Sequence, residues 1–124
     1  MRISGQVSSL SAEVGLSLLL GDGTRPEISF LVDTGFLGAL ALPETDIAAL
    51  GLRVFGQTEA TLADGTVRAT LVYEARLVWG EGVLRVAALA MGDRPLLGTS
   101  LLEACHMGID FTEGGAVTIT PLTG

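Results

Sequence analysis

An all-β domain, a small closed barrel carrying two short helices, is the fold class this sequence predicts. Three observations lead there. Short runs of β-favouring residues recur along most of the chain; two tight hairpin signals, Asp64-Gly65 and Gly80-Glu81-Gly82, interrupt its longest apolar stretch; and only two segments carry helix boundary signals. With 124 residues and 48% hydrophobic composition, one domain spanning 1–124 can bury about two-thirds of its unfolded surface.

The elements follow in order. Residues 2–8 alternate Ile3, Gly5 and Val7, and break at "SSLSA". Residues 13–20 form a second run, stopped by the turn formers of "GDGTRP". Residues 27–32 make a short apolar strand that leads into Asp33, and 37–42 make another. "LPETDIAALGL" reads as the first helix. Pro43 suits its first turn, Glu44 and Asp46 favour the positive end of its dipole, and Gly51 can stop it. Residues 53–91 are a long β region folded at the two hairpin signals. "GTSLLEACHMG" is expected to be the second helix, with Ser100 and Glu103 spaced as a capping box and Gly108 as its stop. Strands over 109–111 and 116–120, turned by "TEGG", complete the chain. The terminal strands are expected to be available for pairing across a two-fold axis.

Charge and composition narrow the function. The net charge is −7, from 14 acidic and 7 basic residues, every one of the latter an arginine. With no basic cluster, nucleic acid and anionic membranes are poor partners. A single cysteine, Cys105, permits no internal disulfide and suits a reducing compartment. The N-terminus carries no signal-like apolar core, and "LSLLL" at 16–20 is far below the about 20 residues of a membrane helix. A cytoplasmic location is the expectation.

The chemistry concentrates in "ISFLVDTGFLGALALP", residues 28–43. A carboxylate within such a run is conspicuous, because burying one without a partner costs several kcal/mol. A strand can fix Asp33, Thr34 can hydrogen-bond nearby backbone, and Gly35 permits the close approach of another chain or a substrate. One aspartate cannot serve as acid and base together, whereas two carboxylates about 3 Å apart share one proton and can divide the work. The chain holds no second Asp-Thr-Gly, so a partner aspartate would come from another subunit. The plainer reading of the triplet is a polar turn capping a strand. A phospho-accepting aspartate would need alternating β-α units, which the pattern lacks. Cys105 and His106 are adjacent, but no other His or Cys exists to complete a metal site, and none is expected.

In ordered series, "FLVDTG", the hairpin "ATLADGTVRA", "PLLGTSLL" and "GIDF…AVTIT" resemble the retropepsin-like aspartic proteases, single-domain enzymes that work as homodimers. "DTGFLGALALP" is similar to a set of small prokaryotic members with Phe after the glycine. The resemblance implies a peptide or protein substrate, no cofactor and no metal. By the same resemblance Asp33 is the catalytic carboxylate, Thr34 hydrogen-bonds across the subunit boundary and Gly35 completes the turn. Ala63, Asp64, Gly65 and Thr66 then belong to a flap over the substrate, and Leu97-Gly98 packs beneath the active-site loop. Phe36 stands where many relatives carry Ser or Ala, and offers the carboxylate no hydroxyl. That difference, with a flap poor in aromatic residues, keeps open the alternative of a catalytically weak or inactive dimeric peptide-binding or scaffolding module.

Overall fold

The computed structural model describes residues 1–61 and 64–122. Strands dominate it. In chain order they are β1 (Ile3–Ser8), β2 (Ser11–Ser17), β3 (Glu27–Val32) and β4 (Leu40–Leu42), then helix α1 (Glu44–Leu50). The series continues with β5 (Arg53–Thr61), β6 (Val67–Trp79), β7 (Gly82–Ala90), β8 (Leu96–Leu97), β9 (Cys105–Ile109) and β10 (Ala116–Pro121).

All these strands join one sheet, in the order β5-β6-β7-β4-β8-β3-β2-β1-β10-β9. The expected closed barrel is therefore not formed: β5 and β9 remain as edges. Closure requires edge strands to meet, and β5 leaves the core as the outer arm of a long hairpin, with eight of its nine residues exposed. The sheet curls instead. An isolated bridge between Leu18 and Leu77, with the Leu19 N–H donating to the Arg76 carbonyl at 2.8 Å, ties the segment after β2 to β6.

Alternation drives the core. In β2, Ala12, Val14 and Leu16 point inward, while β10 contributes Val117 and Ile119. They meet the fully buried Phe30, Leu18, Leu40, Leu42, Leu77 and Leu97. β6 changes its buried face along its length. Thr70 and Val72 are buried near the start, then Ala75 and Leu77 take over on the opposite parity, as expected of a strand that runs from a projecting hairpin into the core.

The first helix forms as its signals direct. Pro43 precedes it, Glu44 and Asp46 occupy its first turn, and Gly51 ends it in the left-handed region, φ 66°. Its buried side chain is Ile47.

The second helix does not form. Residues 99–101 make a single 3₁₀ turn, with Gly98 rather than Ser100 at its N-cap and no side-chain cap. The capping box fails because Ser100 lies inside the turn, its N–H directed at the Gly38 carbonyl at 3.4 Å. Ala104, φ 59°, then redirects the chain. Residues 105–109 pair with β10, Ile109 opposite Val117 and Met107 opposite Ile119, so strand pairing overrides local helix propensity. Gly108 thus sits within a strand, and the last hairpin uses 105–109 in place of 109–111. The strand expected over 37–42 shrinks to β4, because residues 33–39 form a loop. The terminal strands are not free for exchange either: β1 pairs with β2 and β10, and β10 also pairs with β9. Among the described residues no helix is long and apolar enough to cross a membrane.

Candidate active site

The Asp33 loop is built from three short strands. β8 lies between β3, to which it runs parallel, and β4, to which it runs antiparallel. Val32 pairs with Leu97, and the Asp33 N–H donates to the Leu97 carbonyl at 2.9 Å. Leu40 pairs with Leu97 from the other side. Both ends of the loop are thereby anchored to one dipeptide whose Leu97 side chain is completely buried.

Within the loop the Asp33 Oδ1 accepts the Gly35 N–H at 2.9 Å, and the Phe36 N–H donates to the Asp33 carbonyl at 3.1 Å. The turn holds the carboxylate half-exposed, with Thr34 and Gly35 open to solvent. This resolves the puzzle of a carboxylate in an apolar run. The apolar residues belong to strands on either side, where Phe30 and Leu40 are fully buried, and Asp33 stands at the loop between them. No charged partner is required. The ion pairs formed among the described residues, Arg85 with Glu74 and Arg94 with Glu13, involve other carboxylates.

Phe36 braces the loop from beneath. Its half-buried ring lies against Gly38 and Gly98, and neither position has room for a β-carbon: at Gly98 one would fall 2.7 Å from the ring and the same from the Phe36 carbonyl oxygen. Thr99 secures that carbonyl with both its N–H, at 2.9 Å, and its hydroxyl, at 3.3 Å. Gly98 donates to the Ala39 carbonyl at 2.8 Å. Leu97-Gly98 therefore does pack under the loop, in the manner the resemblance implied.

The hairpin tip is a separate unit. Asp64 Oδ1 accepts the Thr66 N–H at 2.9 Å and the Thr66 hydroxyl at 2.6 Å, while Gly65 takes φ 86°. The Thr66 hydroxyl, then its N–H, hold the Asp64 carboxyl below its usual range. Ala63 lies outside the described residues. No hydrogen bond joins Asp64–Thr66 to Asp33–Gly35 among the described residues.

No protein-family model and no curated protein matches the chain. Among solved structures it is similar to the crystal structure of a retropepsin-like aspartic protease from Rickettsia conorii, with a TM-score of 0.59 over 96% of this chain and 89% of that one, at 21% identity. The fold is retropepsin-like.

On this retropepsin-like scaffold, the first half of β6 and helix α1 enclose a groove that the sequence did not reveal. Its volume is about 950 Å³, and its walls include Ile47, Leu52, Arg68, Leu71, Tyr73 and Met91. Asp33 is not among its lining residues. No local signal marked it, since its walls come from α1, β6 and the segment after β7, which are far apart in the sequence. Among the described residues no three His, Cys, Asp or Glu side chains gather as metal ligands. Cys105 is half-buried and His106 exposed, as neighbours on a strand alternate.

Proposed function

We propose that this chain is an aspartic endopeptidase that works as a homodimer, with one Asp33 from each subunit. The observation that carries the reading is the Asp33-Thr34-Gly35 turn itself. It presents a carboxylate at the surface on a loop fixed by three strands, in a retropepsin-like fold. The hydrophobic Leu37, 79% exposed beside it, favours a covering partner.

In such a dimer the two carboxylates hold one proton between them. The ionised one takes a proton from water as the oxygen attacks the peptide carbonyl carbon, and the protonated one gives its proton to the carbonyl oxygen. Collapse of the tetrahedral adduct breaks the C–N bond. The proton gained from water passes to the leaving nitrogen, a hydroxyl of the adduct returns a proton to the other carboxylate, and the shared-proton state is restored. Thr34, exposed and without a hydrogen bond of its own among the described residues, is the group to bond across the subunit boundary. Asp64 to Thr66, at the hairpin tip, are the residues to close over the peptide.

A second reading, a peptide-binding module without efficient catalysis, draws support from the groove, whose walls do not include Asp33. A peptide library incubated at pH 4 to 7 and read by mass spectrometry separates the two. Cleavage by the wild type that disappears in Asp33→Asn is the expected result. The variant should stay folded, because the asparagine carbonyl oxygen can still accept the Gly35 N–H. Binding without cleavage, or equal cleavage by both proteins, overturns the enzyme reading.

A further inference from the structure

Strand β6 outruns its neighbour. It extends from Val67 to Trp79, but its pairing with β7 begins only at Val72, opposite Leu89. Over residues 67–71 one side of β6 is paired with residues 57–61 of β5, and among the described residues no strand lies along the other side. β7 has ended there. Its last residue, Ala90, pairs instead with Leu42 of β4, and the Met91 N–H donates to the Leu42 carbonyl at 3.1 Å.

The backbone phase of this open edge follows from the far end of β6. Gly80-Glu81 is a two-residue turn closed by Trp79 and Gly82, a pair that exchanges both of its hydrogen bonds. Odd-numbered residues of β6 therefore address β7, and even-numbered ones the opposite side. The Arg76 carbonyl agrees independently, since it accepts the Leu19 N–H from the side away from β7. The extra residue of the bulge between Val54 and Gly56 lies in β5, so the phase of β6 continues unbroken to Val67. Arg68 and Thr70 then bond to β5. The Leu71 N–H, with the N–H and carbonyl of Ala69, points to where β7 has ended.

The large groove lies on that side. Arg68, Ala69, Thr70 and Leu71 all line it. Consecutive residues of both side-chain parities border one groove when a strand presents its edge rather than a face. The facing walls are α1 and residues 90–93, and the volume of about 950 Å³ lies at the upper end of ligand-sized clefts. Ile47, Leu52, Tyr73 and Met91 make the walls largely apolar, and Leu71 at the edge is 45% exposed. Glu44 and Asp93 stand there against a single Arg68, and among the described residues none of the three is in an ion pair. With a net charge of −7 over the chain, this favours a basic occupant and opposes a second copy.

We propose that an extended segment of another protein, apolar at alternate residues and flanked by basic ones, binds in this groove as a strand added to residues 67–71 of β6. Unpaired backbone groups supply the ladder, the apolar walls take alternate side chains, and the two carboxylates take the flanking charge. The site is separate from the Asp33 loop, and the inference goes beyond the protease reading without depending on it. An added strand also braces the hairpin that carries residues 64–66.

The test uses the whole chain carrying Asp33→Asn, so that no cleavage intervenes. Its probe is the fluorescein-labelled peptide Lys-Val-Thr-Val-Thr-Val-Lys. Amide exchange followed by magnetic resonance should show Ala69 and Leu71 open in the free chain and protected about tenfold or more at saturating peptide. Arg68 and Thr70, already bonded to β5, should change little. Ala69→Pro removes an N–H that the phase leaves free, at an edge where proline is tolerated. It should keep the circular dichroism and weaken peptide binding about tenfold. Replacing both flanking lysines of the peptide by glutamate should also weaken it.

No binding of the lysine peptide at millimolar concentration overturns the proposal. Binding without protection of Ala69 and Leu71, equal binding by a folded Ala69→Pro chain, or tighter binding of the glutamate peptide does the same. Protection that appears without peptide as protein concentration rises would make a second copy the occupant, and overturns it too. Should Ala69→Pro unfold, the exchange pattern decides. None of these outcomes bears on cleavage by the wild type, which the peptide library decides separately.

Discussion

Substitution of Gly98 by alanine should destabilise the protein by about 3 kcal/mol, and the reason is steric. Gly98 has φ −100° and ψ 175°, a conformation any residue adopts, so backbone strain is not involved. A β-carbon there would overlap the Gly38 carbonyl oxygen and lie 2.7 Å from both the Phe36 ring and the Phe36 carbonyl oxygen. Overpacking of this kind costs about 1–3 kcal/mol, and the shift it forces weakens the Gly98–Ala39 and Thr99–Phe36 hydrogen bonds, each worth about 1 kcal/mol. For a chain of this size about 3 kcal/mol lowers Tm by roughly 10 °C. Urea unfolding followed by circular dichroism should show a lower midpoint at constant slope. Gly21→Ala is the control: nothing lies within 4 Å of a β-carbon there, and its midpoint should hardly move. Phe36→Ala in the Gly98→Ala background should recover only part of the loss, since it clears the ring and leaves the carbonyl oxygens. A Gly98→Ala midpoint matching that of Gly21→Ala would refute the claim that the loop is built around this contact.

Thr34→Ala should leave the unfolding midpoint of the isolated chain unchanged within about 0.5 kcal/mol, because the side chain is exposed and bonds nothing among the described residues. The dimer dissociation constant should rise, by an amount that corresponds to about 1–3 kcal/mol for a lost buried hydrogen bond, and sedimentation measures it. The hairpin tip should respond to acid. Because the Asp64 carboxyl is held low by Thr66, the turn is stabilised at pH values above the unfolded-state titration and loses that support as pH falls through the folded-state one. Amide exchange at Thr66 should therefore keep its protection from pH 8 down to about 4.5, once intrinsic rates are allowed for, and lose it in stronger acid. Asp64→Ala should lack that protection throughout, and equal protection in both proteins would show that the carboxylate does not hold the turn.

Most strands were legible because their signals are local. Alternation in β1, Asp64-Gly65 and Gly80-Glu81-Gly82 between β5, β6 and β7, and the Pro43 and Gly51 boundaries of α1 each depend on a few neighbouring residues. The features that misled depend on distant ones. "SLLEACHMG" has the spacing of a capped helix, yet β10 offers Cys105–Ile109 a ladder and Ala104 accepts a left-handed turn to reach it. Barrel closure was not legible for the same reason. Whether β5 meets β9 is decided by where a long hairpin projects, and no local pattern records that. The Asp33 turn was readable as a motif, whereas its bracing by the Phe36 ring requires Gly38 and Gly98, separated by sixty residues in sequence, to be brought together.

The distribution of satisfied and unsatisfied groups points in one direction. Among the described residues every buried side-chain nitrogen or oxygen has a hydrogen-bond partner, so the interior of the single chain is complete. The surface near the candidate site is not. Among the described residues Asp33 has one donor, Gly35, on one of its oxygens; Thr34 has none; and Leu37 is exposed. These groups are not scattered. All three stand on the one loop that Leu97 and the Thr99–Leu101 turn anchor. Open groups gathered on one loop, over a core that satisfies itself, are what the homodimer reading proposed above expects. The chemistry argues likewise, because a lone carboxylate cannot hold and release the proton that peptide hydrolysis needs at once. On the homodimer reading proposed above, a second copy would bring the missing carboxylate as its own Asp33.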